Sequence, residues 1–408
     1  MSGALSHIRV LDLSRILAGP WASQTLGDLG AEIIKIERPN SGDDTRQWGP
    51  PYVKDVDGND TNDAAYFMSA NRNKKSVAID MAKPEGQELL HELVKQCDVV
   101  IENFKVGGLK KYNLDYDSLK AIKPDLVYCS ITGFGQDGPY ANRAGYDFLI
   151  QGMGGLMSVT GQPDGADGAG PMKVGVALAD ILTGLYTVIG VQAALAHRDK
   201  TGEGQHIDVA LLDVQVATLA NQALNYLASG NAPTRLGNAH PNIVPYQTFA
   251  TSDGHMILAV GNDGQFVKFC EIAGIPEIAE DERFRTNASR VKNREALAPI
   301  LQARIETQSL DWWITNLEAQ AVPCGPINTI DRVFEDPQVK HREMQQSLEH
   351  PVARQVPSVG SPLKLSQTPV EYKSAPPTLG QHTDETLGEL LNLDADTLTK
   401  LKADNILG

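Results

Sequence analysis

Short apolar runs and longer amphipathic stretches alternate along the first 132 residues. The run at 8–13 predicts a buried strand, the pattern at 21–29 predicts a helix that ends at Gly30, and 32–37 predicts a second strand. The alternation continues with predicted strands at 76–80, 98–102 and 126–132, separated by helices at 84–97 and 116–122. Because strands joined by helical crossovers pair in parallel, we expect an α/β fold with a doubly wound, Rossmann-like domain.

The pattern changes near residue 225, where a linker-like segment precedes a hairpin signal. Strands at 246–250 and 255–260, followed by helices, predict a smaller α+β domain. A chain of 408 residues is longer than a single core normally supports. The proline-rich stretch 350–380 predicts a strap that runs over a surface or a partner. The predicted organisation is a large domain at 1–225, a small domain at 226–325, and a return strap and C-terminal segment at 326–408 that joins the large domain.

Composition narrows the function classes. The net charge of −15 argues against nucleic-acid binding, which needs a basic face. Four scattered cysteines and the absence of His-x-x-x-His spacing predict no disulfide framework and no metal site. The most apolar stretch, 174–196, is interrupted by a carboxylate and small residues, and the N-terminus has no signal pattern. We therefore expect a cytoplasmic protein without a membrane span.

That carboxylate, Asp180, is the most unusual feature of the sequence. It lies among apolar residues, where an unpaired charge is costly to bury. One interpretation is a helix cap in front of Ile181. The other is a carboxylate held away from water and used as a nucleophile or base.

Basic residues cluster after several predicted strands, at the edge of the sheet where ligands of such folds bind. Together they predict a place for a phosphorylated ligand, although each of them is also explained as an ordinary solvated side chain. They are Arg38, Arg72, Lys74, Lys75, Lys105, Lys110 and Lys111. A Gly-x-Gly-x-x-Gly pattern at 133–138 precedes Pro139 rather than a clear helix, so we interpret it as a tight turn.

Several short motifs occur in an order that resembles family III CoA transferases over essentially the whole chain. They are Val10-Leu-Asp-Leu with Ala18-Gly-Pro, Gly30-Ala-Glu-Ile-Ile-Lys-Ile-Glu-Arg, Asn71-Arg-Asn-Lys-Lys-Ser, Pro84-Glu-Gly, Glu102-Asn-Phe and Thr201-Gly-Glu-Gly-Gln. The resemblance places the family's nucleophilic aspartate on Asp180. It also implies an interlocked homodimer, which would account for the strap at 350–380.

The resemblance assigns further site residues by position. Those matching the family's CoA contacts are Ile16, Leu17, Ala18, Arg38, Ile79, Asn103, Phe104 and Lys111, with Arg143 as an additional cation nearby. Those matching the family's acyl site are Tyr66, Tyr146 and Asp147. Those matching its mobile glycine loop are Gly261, Gly264 and Gln265. Formyl-CoA transferases have glutamine at the position of Leu17 and a fuller glycine run at Asn262 and Asp263, so oxalate and formate are not the expected substrates.

The resemblance implies exchange of CoA between an acyl-CoA thioester and a small carboxylic acid, with no permanently bound cofactor. Asp180 would form an acyl anhydride and then an aspartyl-CoA thioester. The segments 221–226 and 235–246 look like those of members that use succinate and glutarate. Arg15, Arg46 or His240 would then pair with the distal carboxylate of the acid.

Two alternatives have different chemistry. An α-methylacyl-CoA racemase shares the fold but has a His-Asp pair where this chain has Tyr146-Asp147, and tyrosine is a weak base at neutral pH. A CoA-binding subunit without turnover would keep the cations but would not need Asp180.

Overall fold

The computed structural model describes residues 3–408 and contains thirteen strands in this range. In chain order they are β1 (Arg9–Asp12), β2 (Glu32–Glu37), β3 (Tyr52–Lys54), β4 (Asp60–Ala64), β5 (Lys74–Ala78), β6 (Val99–Glu102), β7 (Val127–Thr132), β8 (His206–Ala210), β9 (Tyr246–Ala250), β10 (His255–Ala259), β11 (Cys324–Pro326), β12 (Gln345–His350) and β13 (Arg354–Val359).

Eighteen α-helices occur in the same range. They are α1 (Ala18–Asp28), α2 (Ala65–Met68), α3 (Pro84–Lys95), α4 (Tyr116–Ile122), α5 (Asp147–Met153), α6 (Leu156–Val159), α7 (Leu178–Thr201), α8 (Leu211–Ala217), α9 (Ala220–Ser229), α10 (Asp263–Ala273), α11 (Pro276–Glu280), α12 (Asn287–Lys292), α13 (Arg294–Ile305), α14 (Leu310–Glu318), α15 (Ile330–Glu335), α16 (Pro337–His341), α17 (Thr383–Leu391) and α18 (Ala395–Ala403).

The larger of two compact units is built around a six-stranded parallel sheet. Its strand order is β5-β2-β1-β6-β7-β8. The chain adds strands first on one side of β1 and then on the other, as in doubly wound folds. Successive residues of β1 face opposite sides, so Val10 packs in one core with α1 and α7 while Leu11 packs in the other with α3 and α17. The predicted parallel α/β layer is therefore present.

The two units have different boundaries from the domains expected from sequence. The larger unit comprises 1–156, 174–223 and 337–408, and the second comprises 157–173 and 224–336. Segment 157–173 was expected within the large domain, because no element pattern in it distinguishes it from its neighbours. In the structure it is tied to the second unit by hydrogen bonds such as Gly237 N to Gly161 O at 3.0 Å.

The second unit has its own three-stranded antiparallel sheet, in the order β11-β10-β9. Its core brings together large apolar side chains such as Phe249, Phe269 and Trp313, each no more than 2% exposed. The hairpin of β9 and β10 follows the bounds predicted from the turn signal at 252–254 closely, and the residues of β10 alternate between exposed and buried positions.

Two segments differ from the sequence-based expectation. The amphipathic sequence at 213–228 predicts one helix, but the structure divides this segment into α8 and α9, because Ala220 adopts a left-handed backbone with φ of 48°. The segment expected to be an extended strap begins with an antiparallel hairpin of β12 and β13. That hairpin lacks a strong turn signature in its sequence, and its strands are largely polar.

Helix α7 is long and apolar enough, by length and composition, to cross a membrane. It packs against α1, β7 and β8, and 44% of its most apolar window is buried within the protein. The core helices of soluble proteins meet the same criteria, so length and composition alone are weak evidence for a membrane span.

Candidate active site

Asp180 lies in the first turn of α7, but it does not cap the helix. Ala177 occupies the N-cap position without a side-chain hydrogen bond. Asp147, at the start of α5, takes over that function, since its Oδ1 accepts from Ala179 N at 2.8 Å and from Asp180 N at 3.4 Å. The capping interpretation of Asp180 is therefore not supported, and its carboxylate is left available for other chemistry.

The electrostatic surroundings of Asp180 favour its protonated form. Burial, followed by the nearby Asp147 carboxylate, raises the pKa of Asp180 to about 7. No basic group contributes to this shift. Most acids held away from water are paired with a cation, and Asp180 is unusual in having none. A poorly solvated carboxylate without a cation partner is also a stronger nucleophile than one in water.

Asp180 opens into a cleft of about 550 Å³ within the larger unit. Seven of the nine residues predicted to contact CoA line the same cleft, because they follow the carboxyl ends of β1, β6 and β7. They are Ile16, Leu17, Ala18, Asn103, Phe104, Lys111 and Arg143. Tyr146, predicted for the acyl site, also lines it.

The remaining two predicted CoA residues, Arg38 and Ile79, line a neighbouring cleft of about 480 Å³. Arg15, Phe104 and Tyr112 line both clefts, so the two are adjacent. A long ligand with a phosphorylated end and a reactive end would fit such an arrangement.

The loop after β6 is held against the loop after β1. Asn103 accepts from Arg15 N at 2.9 Å and donates to Arg15 O at 2.6 Å. Glu102 accepts from Phe104 N at 2.7 Å, and burial raises the pKa of Glu102 to about 7. The guanidinium of Arg15 also lies 5.5 Å from the centre of the Phe104 ring.

The remaining residues predicted near the acyl site have distinct positions. Asp147 positions the start of α7, and its Oδ2 accepts from Gln151 Nε2 at 2.7 Å. Tyr66 lies on α2 and packs edge-on against Trp48. Burial, together with the carboxylates of Asp180 and Asp147, raises the pKa of Tyr66 to about 12, so this phenol remains protonated at neutral pH.

Several predicted cations are not available to a ligand. Arg72 is buried in an ion pair with Asp28, and Lys74 is buried with Asp12. Arg46, a candidate for the distal carboxylate, is buried between Glu37 and Asp63. These three predictions of ligand binding are wrong, because folding buries each cation against carboxylates that neutralise it. Lys75 is half-buried and bridges Glu32 and Glu385.

The predicted glycine loop belongs to the second unit, where it starts α10. Asn262 caps this helix by accepting from Gln265 N at 2.9 Å, and Gly261 N donates to Gln265 Oε1 at 2.8 Å. His240, in the same unit, packs against the ring of Tyr246. The acyl-site function of Gly261, Gly264 and Gln265 stays a prediction.

Sequence reasoning missed residues that shape the cleft, including Tyr112, Gly133 and Gly145. The two glycines pack backbone to backbone, since a Cβ on Gly145 would lie 2.4 Å from Gly133 Cα. The only sequence signal for Gly133 was the glycine-rich segment at 133–138 that we interpreted as a turn. Among residues 3–408, no group of three or more His, Cys, Asp or Glu side chains is placed to hold a metal ion.

Comparison with known proteins decides the family. A family model described as CoA-transferase family III matches residues 5–383. The chain belongs to CoA-transferase family III. The protein is therefore a CoA transferase, an enzyme that acts on CoA thioesters.

Relatives within CoA-transferase family III are similar over nearly the full chain. A succinate–glutarate CoA-transferase from Agrobacterium fabrum is 54% identical and covers 96% of each chain. A succinyl-CoA:glutarate CoA-transferase from Homo sapiens is 42% identical and covers 97% of this chain and 88% of its own. A crystal structure of a CAIB/BAIF family protein from Brucella suis is 54% identical, with a TM-score of 0.84, and covers 96% of this chain and 100% of its own.

Proposed function

We propose that this protein transfers CoA between an acyl-CoA thioester and a dicarboxylic acid such as succinate or glutarate, with Asp180 as the nucleophile. The observation that carries the proposal is a partly buried carboxylate without a cation partner, open to a cleft lined by the predicted CoA contacts. The names of the Agrobacterium and human relatives support the choice of acids.

The reaction begins with attack of an Asp180 oxygen on the thioester carbonyl carbon. The carbon–sulfur bond breaks, CoA leaves as a thiolate, and an acyl–aspartyl anhydride remains. The thiolate then attacks the aspartyl carbonyl carbon, which releases the first acid and leaves an aspartyl-CoA thioester. The acceptor carboxylate and the thiolate repeat these two steps in reverse order, which releases the new acyl-CoA and free Asp180.

The surroundings of Asp180 support this chemistry. A pKa near 7 leaves a large fraction ionised at neutral pH while the poor solvation keeps the carboxylate reactive. The anhydride would be hydrolysed by free water, so the proposed reaction requires that water be kept away from it. Asp147 fixes the backbone of Asp180 and thereby the direction of attack.

Arg15 is our choice for the distal carboxylate of the acceptor. It lines the cleft that contains Asp180, whereas Arg46 is neutralised by Glu37 and Asp63. Arg15 Nη1 lies 2.7 Å from Asp44 Oδ2 in a solvent-exposed ion pair. Exposed ion pairs of this kind are weak, so a substrate carboxylate can replace Asp44.

The proposed assembly is a homodimer. Large apolar side chains are exposed on two adjacent helices of the larger unit, Phe148 on α5 and Tyr186 and Ile189 on α7, with exposures of 60%, 44% and 61%. Large exposed apolar side chains on neighbouring helices are typical of a protein–protein interface. An Ile189→Glu variant should elute as a monomer in size-exclusion chromatography with light scattering, and unchanged elution would contradict this assignment.

Trapping tests the nucleophile directly. Hydroxylamine added during turnover with succinyl-CoA and glutarate should convert Asp180 to a hydroxamate, detected by peptide mass spectrometry. Asp199, exposed on the same helix, is the matched control and should remain unmodified.

A panel of glutarate, oxalate, carnitine and mesaconate then tests the acceptor class, and failure with every dicarboxylate would contradict the substrate assignment.

A further inference from the structure

The wall of the cleft contains a backbone conformation that its residue type disfavours. Ile16, between β1 and α1, has φ of 74° and lines the cleft together with Asp180. A β-branched residue rarely adopts this left-handed region, because its Cβ crowds the backbone. Other parts of the structure must therefore hold Ile16 in place.

One carboxylate accepts the backbone N–H of this residue. Ile16 N lies 3.3 Å from both carboxylate oxygens of Asp43. Asp43 also accepts from Thr45 N at 3.0 Å and from Thr45 Oγ1 at 2.8 Å, so its own position is fixed from the loop after β2.

A buried lysine connects both sides of the strained residue. Lys35 Nζ donates to Asp43 Oδ2 and to Ser14 O, each at 2.9 Å, and the side chains of Lys35 and Asp43 are fully buried. Ser14 is held in turn by Asp12, which accepts from Ser14 N at 2.9 Å. The ammonium group thus ties the carbonyl two residues before Ile16 to the carboxylate that binds its N–H.

Stability alone is a poor reason for this arrangement. A buried ion pair often contributes little net stability compared with apolar side chains of similar size. The bonds converge on the few residues that form the cleft wall, and Leu17 and Ala18 follow directly into α1.

We propose that Asp43, held by Lys35, is a positioning residue that keeps Ile16 in its left-handed conformation and so presents the segment 16–18 to the reacting acyl-CoA. This inference rests on the proposed function for the reaction that is measured. Asp43 acts only through the backbone of Ile16, so its importance should depend on which residue occupies position 16.

A double-mutant cycle tests that dependence. Asp43→Asn should lower kcat for CoA exchange by about 30-fold while KM for acyl-CoA changes by less than about 3-fold, because misplacement of reacting groups lowers turnover. Glycine adopts a positive φ without crowding, so in an Ile16→Gly background the same Asp43→Asn change should lower kcat by less than about 3-fold. Equal losses in both backgrounds would show that Asp43 acts independently of Ile16.

A milder variant covers the case in which Asp43→Asn does not fold. Thr45→Val keeps the shape of the buried side chain but removes its hydroxyl bond to Asp43. Thr45→Val should lower kcat several-fold when Ile16 is present and should not lower it in the Ile16→Gly background. If the loss of kcat only matches the loss of folded protein measured by thermal unfolding, the proposal is overturned. Failure of the proposed function is a separate result: Asp180→Asn would then retain exchange, while the cycle would still report on Asp43.

Discussion

Two carboxylates in the larger unit, the partly buried Asp180 and the fully buried Asp43, have opposite electrostatic environments. Asp43 is fully buried against the Lys35 ammonium and donors from Thr45, which outweigh its burial and lower its pKa to about 2. Asp180 faces a second carboxylate instead of a cation, and its pKa rises to about 7. Burial raises the pKa of both carboxylates, so the neighbouring charges and hydrogen-bond donors decide the difference between the two pKa values.

The difference separates a carboxylate that supports structure from one suited to reaction. Asp43 is already engaged by hydrogen bonds and a charge, so attack on an acyl group would require breaking them. Asp180 has no such partner to lose. Asp12 and Glu37 belong with Asp43, because nearby lysine or arginine groups lower the pKa of each despite their burial.

The largest expected effect is on activity at Asp180. Asp180→Asn keeps the size of the side chain but removes the proposed nucleophile, so CoA exchange should fall by at least about 10,000-fold. Steady-state exchange between succinyl-CoA and glutarate measures this loss, with Asp199→Asn on the same helix as the control. Retention of more than a small part of the exchange would assign the nucleophile to another group.

The second effect concerns stability at Asp43. Asp43→Asn leaves the buried Lys35 without its ion-pair partner, so the free energy of unfolding should fall by about 3 kcal/mol at pH 7. Because the folded pKa of Asp43 is lowered, this difference should persist above about pH 4 and disappear as the pH falls through about 2. Denaturant unfolding at several pH values measures it, and a constant difference across that range would argue against the ion pair.

The Asp180→Asn variant should be more stable than the native protein, in contrast to Asp43→Asn, which should be less stable. The raised pKa means that ionisation of Asp180 opposes folding, so the native protein loses stability as the pH rises from about 4 to about 7. The substitution should therefore stabilise the protein at pH 8 by at most about 4 kcal/mol, and hardly at all at pH 4. Thermal unfolding at the two pH values gives the comparison, and destabilisation at pH 8 would contradict the environment described for Asp180.

The smallest effect is a shift in a pH profile. Asp147→Asn keeps an oxygen that can accept from Ala179 N but removes the like charge beside Asp180. The pKa of Asp180 should fall, and the rising limb of kcat/KM against pH should move to lower pH by about one unit. An unshifted limb in Asp147→Asn would show that burial alone raises the pKa.

Much of the fold was predictable from local pattern. The strands of the parallel sheet and the bounds of α4 and the β9–β10 hairpin follow from apolar periodicity and turn residues. The break before Ala220 and the hairpin of β12 and β13 were not, because their sequences carry no strong local signal.

The candidate site was predicted in part and for a clear reason. Motif order identified the loops that line the cleft, since they follow strand ends whose positions the pattern determines. The cations Arg46, Arg72 and Lys74 were misassigned, because a charge in a one-dimensional sequence does not reveal whether a distant carboxylate will neutralise it.

The sequence by itself determined the parallel α/β layer, the apolar context of Asp180 and the resemblance to a CoA-transferase family, because these depend on residue order alone. Only the tertiary structure decided that Asp147 caps α7 beside Asp180, and that Lys35 and Asp43 hold Ile16 at a positive φ. Such contacts join groups from different elements of the fold, and their energies depend on burial and distance, which exist only after folding.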